Sequence, residues 1–124
     1  MKEDLIARLK SFGYDVTEDD DWLLLFDGQK VENYIFDYCN ISELPRALYP
    51  MAVDMMAGEF LGYKKAMGQL AGFDFTAPVK QIQEGDTTVV FASGDAPERQ
   101  FEGLIKTLAR GDAGQLSRHR RLVW

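Results

Sequence analysis

The sequence predicts a mainly α protein: a small bundle of about four helices, with a β-hairpin arm between the third and fourth. Three observations predict it. Apolar residues recur at helical spacing in four stretches, near 2–12, 19–39, 43–69 and 96–109. The longest of these has an apolar arc too wide for a helix lying on a surface, and a stretch near 78–92 abandons the helical period around Gly85-Asp86. A chain of 124 residues is expected to make one domain over 1–124, burying about two-thirds of its unfolded surface around one core.

Taken in order, "KEDLIARLKSF" puts Leu5, Ile6, Leu9 and Phe12 on one face, and Gly13 supplies a stop. Asp15, Glu18, Asp19, Asp20 and Asp21 then crowd the start of a second helix. Carboxylates there favour the helix dipole, with Thr17 or Asp19 as cap. A divalent-cation site would need a regular oxygen spacing with its own glycine and closing Glu. The second helix runs from about Asp19 to Cys39, apolar nearly all round in its first half, and Gly28 is expected to loosen its middle. Asn40 or Ser42 caps the turn that follows.

The third stretch, Ser42 to Leu70, is the centre of the fold. At about 100° per residue, Leu44, Leu48, Met51, Ala52, Met55, Met56, Phe60, Tyr63, Ala66 and Met67 share one half, and Arg46, Asp54, Lys64 and Lys65 the other. Pro50 lacks the donor a helix interior needs, so a kink or a fresh start is expected near Tyr49. Gly58 and Gly62 suit the close approach of a neighbouring backbone. Glu59 projects into the apolar half, where a carboxylate needs a cation, a helix end or another subunit.

After Leu70, "VKQIQEGDTTVVFA" reads as two short strands, with Ile82 opposite Val89, Lys80 opposite Phe91 and Gln81 opposite Val90. A lone hairpin is marginal in water, so this one needs its own bundle or a neighbour to rest on. The last helix has Asp95 as possible cap, Pro97 in its first turn, a stripe of Phe101, Leu104, Ile105 and Leu108, and Gly111 at its stop. The apolar end Leu122-Val123-Trp124 is expected to be tied down.

Charge and rare residues limit the chemistry. The net charge is -6, but residues 110–124 carry +3 and the first 109 carry -9. An acidic body disfavours broad nucleic-acid binding, leaving Arg118, Arg120 and Arg121 as the possible contact with DNA or an acidic partner. One cysteine, Cys39, and one histidine, His119, exclude an intramolecular disulfide, a Cys-based zinc site and a two-histidine metal site. Cys39 is expected as a small buried residue at a helix end. No P-loop, GxGxxG, HExxH, GxSxG or CxxC occurs, and carboxylate pairs such as Glu98/Glu102 lie on helix faces. No enzyme activity, cofactor or metal is expected. No signal peptide or membrane span is read, which suggests a soluble cytoplasmic protein.

The order of these elements, with "VENYIFDYCN", "PMAVDMMAGEF" and "IQEGDTTVVFA" as its most specific parts, resembles the small head-tail connector (adaptor, head-completion) proteins of tailed phages and prophages. The likeness covers nearly the whole chain and rests on pattern and order. It implies a helical virion component of the neck, held in the host cytoplasm before assembly. Copies would join into a ring beneath the portal, alongside other neck proteins, and DNA would pass through without sequence-specific binding. On that resemblance the hairpin becomes an arm onto the next protomer or the portal, and the interface residues are Ile82, Glu84, Gly85, Asp86, Val89, Phe91 and Glu59. The alternative is a small helical nucleic-acid-binding or regulatory protein acting through its basic tail.

Overall fold

The computed structural model describes residues 1–85 and 96–121. Six α-helices follow one another there: α1 Lys2–Ser11, α2 Asp21–Cys39, α3 Tyr49–Ala66, α4 Thr76–Gly85, α5 Pro97–Arg110 and α6 Ala113–Arg118. Single 3-10 turns precede α2 and α3.

The boundaries follow local backbone chemistry. Gly13 at φ 92° turns the chain away from α1, and Asn40 at φ 55° closes α2 in the left-handed conformation that Asn tolerates. Helix α2 is continuous through Gly28, where loosening was expected, with Leu24 and Asp27 buried before that residue and Val31 after it. The fresh start at Tyr49 is observed, with Pro50 in the first turn of α3, where its missing N–H costs nothing. Gly111, at φ 70°, ends α5. The residue capping the start of α5 is Ala96; Asp95 lies outside the described residues.

Helix α3 is the hub, packed against α5, α2 and α1. Its burial is wider than half a turn: Val53, Ala57, Leu61 and Lys64 are buried along with Ala52, Met55, Met56 and Phe60. Ala66 and Met67, assigned to the inner half, are exposed instead, where α3 comes to its end. Gly58 permits the closest contact. A Cβ there would stand 2.7 Å from the Ala109 nitrogen and 2.8 Å from the Ile105 oxygen, so the α5 backbone rests directly on α3. Phe73 and Phe75 from the α3–α4 connection close on Phe101 at centroid distances of 5.5 and 5.0 Å.

The hairpin arm is corrected. No strand occurs among the described residues, and the segment read as its first strand is helix α4. The Asp74 carboxylate accepts from the Thr76 N–H at 3.0 Å and from the Thr76 hydroxyl at 2.6 Å, which starts a helix. Pro78 fits its first turn, and Lys, Gln and Glu continue it well. Val79, which is buried, and Ile82 are also spaced i, i+3, so the alternation read as strand suits a helix equally. Residues 86–95, with the other half of the proposed hairpin, lie outside the described residues.

Helix α6, which the sequence reading treated as tail, starts on Asp112, whose Oδ1 accepts from Gly114 and Gln115 at 2.9 and 3.3 Å. It folds the chain back onto the end of α2. The Arg121 N–H donates to the Cys39 carbonyl at 2.7 Å, Tyr38 and Ser117 hydroxyls meet at 3.1 Å, and the buried Cys39 thiol donates to the Leu116 carbonyl at 3.3 Å. Burial pushes that thiol's pKa up.

Candidate functional site

The feature that distinguishes this bundle lies on α2. "WLLLF", residues 22–26, is five apolar residues in succession, and a period of 3.6 cannot point all five inward. Leu24 takes the core, Leu23 the edge, and Trp22, Leu25 and Phe26 are left outside at 70, 62 and 43% exposure. The Trp22 and Phe26 rings stack at 5.2 Å, nearly parallel, as i, i+4 neighbours can. Beside them, Met1, Leu5, Leu24, Leu25, Gly28 and Met56 line an apolar groove of about 200 Å³ between α1 and α2. Gly28 keeps its floor low: a Cβ there would reach only the Met56 sulfur, at 4.0 Å.

The inner face of α2 carries a carboxylate. Asp27 falls in the buried stripe Leu24, Asp27, Val31, Ile35, Cys39, and it is fully buried. Neither of its oxygens has a hydrogen-bond partner among the described residues. Loss of hydration, and then the nearby Glu59 carboxylate, push its pKa up to about 8 against the pull of Lys30. Asp27 is therefore largely a neutral acid at pH 7. Glu59 finds the cation it needs in Lys30, 3.3 Å away on α2, and the same ammonium donates to the Tyr63 hydroxyl. The Tyr63 and Glu59 contacts hold Lys30 above its ordinary value despite partial burial.

A second buried carboxylate secures the start of α2. Asp20, just ahead of the helix, pairs with Lys64 of α3 and accepts from the Tyr14 hydroxyl at 2.8 Å and the Thr17 N–H at 3.1 Å. Burial works against its charged form, yet Lys64, Thr17 and Tyr14 together hold its pKa below the usual carboxylate value. Lys64, assigned by spacing to the outward half of α3, is thus drawn inside by its partner. The other acids of the cluster, Asp15, Glu18, Asp19 and Asp21, stay exposed, and Asp21 pairs with Lys2 at 2.7 Å. Among the described residues, no group of three or more His, Cys, Asp or Glu side chains is placed to hold a metal ion.

The residues singled out from sequence are dispersed. Ile82, Glu84 and Gly85 belong to α4 rather than to a hairpin, and Asp86, Val89 and Phe91 lie outside the described residues. Arg118, Arg120 and Arg121 are exposed together at the end of α2, with the Arg120 guanidinium 5.5 Å from the Tyr38 ring centre. The aromatic face and Asp27 were missed. The face was signalled by the unbroken "WLLLF" run, and Asp27 by the 24, 27, 31, 35, 39 spacing. Among the described residues, no helix is long and apolar enough to cross a membrane. No family model, curated protein or solved structure matches the chain.

Proposed function

We propose that this protein is a structural subunit of the head-tail connector class, which its sequence order resembles, and that its copies assemble through α2 into a ring under a phage or prophage portal. The observation that carries this reading is the Trp22, Leu25 and Phe26 face, left open on a chain whose central helix is covered by its own neighbours. Large aromatic residues cost much to leave in water and supply most of the energy where subunits meet. The assembly surface moves accordingly from the hairpin to α2. An acidic body suits a conduit wall, because like charge keeps the duplex from adhering. On this reading the protein waits in the host cytoplasm, acts in the virion neck beside the portal and other neck proteins, and turns over no substrate.

Light scattering across a concentration range, with and without a portal ring, tests it. The wild-type mass should rise with concentration or on the ring, and Trp22→Asp with Phe26→Asp should weaken assembly by about 30-fold or more while keeping the helical circular-dichroism signal. A wild-type chain that stays monomeric under both conditions overturns the reading.

A further inference from the structure

The two ends of α2 carry opposite charge. Exposed Asp15, Glu18, Asp19 and Asp21 surround its start, next to Trp22 and Phe26, and exposed Arg118, Arg120 and Arg121 surround its close, where the Arg121 N–H meets the Cys39 carbonyl. Nineteen helical residues hold the two ends about 28 Å apart, at 1.5 Å per residue. Charges screened over about 8 Å at physiological salt do not neutralise each other across that span. Among the described residues Asp21 pairs with Lys2, the other members of both sets are exposed, and no bending of a continuous helix brings the two ends together.

We infer that the occupant of the aromatic face is the arginine end of a second copy. Arg118, Arg120 and Arg121 of one molecule meet Glu18, Asp19 and the Trp22–Phe26 pair of the next, so that the contact is head-to-tail along α2. This rests on the connector reading and adds to it a direction and a pair of unlike surfaces. Guanidinium groups suit the acceptor surface twice over, because they pair with carboxylates and stack on aromatic faces, as Arg120 already does on Tyr38 within the molecule. A heterologous contact of this kind leaves one free end of each sort on every assembly, and it closes only when the rotation between copies completes a circle. The arginines are then spent on a neighbouring copy rather than on nucleic acid.

Two charge-reversed full-length chains test the inference: Glu18→Lys with Asp19→Lys, and Arg118→Glu with Arg121→Glu, the latter leaving Arg120 on Tyr38. Each alone should self-associate about ten-fold or more weakly than wild type, since like charges now face each other. An equimolar mixture should regain assembly, in strict alternation, because each chain again offers the other an unlike end. If either double variant loses the helical signal, Asp19→Lys and Arg118→Glu are mixed instead. Assembly unaffected by the arginine reversal, yet lost with Trp22→Asp, overturns the inference in favour of a ridge-to-ridge contact and leaves the connector reading standing. Reversed arginines that abolish a salt-sensitive shift of duplex DNA without altering assembly also overturn it. A wild-type chain with no assembly overturns both.

Discussion

Helices α2 and α3 have nearly the same length and similar apolar content, but they differ in what surrounds them. Helix α3 is enclosed by α1, α2 and α5, and even its lysine at position 64 is drawn inside. Helix α2 has one face sealed against α3 and α6 and another that presents Trp22, Leu25 and Phe26 to solvent. The difference teaches that apolar content does not separate a covered helix from one with an open face. The number of neighbours a helix has does. An apolar arc as wide as that of α3 is covered by its neighbouring helices, whereas the run on α2 leaves Trp22, Leu25 and Phe26 exposed.

Three substitutions probe that contrast. The largest effect is expected at Asp27. Its folded-state pKa, about 8, lies above the ordinary 3.8, so the folded protein holds a proton the unfolded chain releases. Stability contributed by the neutral acid is complete below about pH 4 and is lost as pH rises towards 8. Asp27→Asn should flatten that decline and exceed wild type at pH 8 by on the order of 5 kcal/mol, read from urea unfolding across pH. An unchanged slope would show that the α2–α3 contact admits water. Asp20 has the opposite sign: its lowered pKa makes stability present above the ordinary carboxylate value and lost as pH falls from there through the lowered folded-state value.

Next comes Gly58→Ala. The added methyl meets the α5 backbone at under 3 Å, and the overpacking cost outweighs the gain in helix propensity, for a net loss of about 2 kcal/mol by chemical denaturation. A neutral result would mean that α3 and α5 can separate without penalty. Smallest is Gly28→Ala, where the methyl has room. It should raise stability by about 0.5 to 1 kcal/mol, the helix propensity difference alone. The two glycines of adjacent helices should thus respond with opposite signs.

Much of this architecture is legible in the sequence. Gly13, Asn40, Pro50 and Gly111 mark boundaries because each imposes a backbone conformation whatever packs around it. The α4 segment misled because its apolar residues satisfy a period of two as well as a spacing of three, and the Asp74 cap that settles the matter lies outside the periodic run. Lys64 and Asp20 are 44 residues apart, and no local pattern links them. Asp27 was hidden because "WLLLF" hides which side of α2 faces inward until the buried stripe is followed to Cys39.

The Asp20–Lys64 pair has a consequence for how the aromatic face meets anything. Two desolvated charges add little to stability on balance, but they tolerate no sliding or rotation of the parts that carry them. Asp20 stands two residues before Trp22, so the buried pair clocks the first turn of α2 and sets the bearing of the Trp22–Phe26 stack. A surface fixed in advance loses little freedom on docking. In the assembly proposed above, docking on this face would be a matter of rigid presentation, with the entropic cost already met during folding.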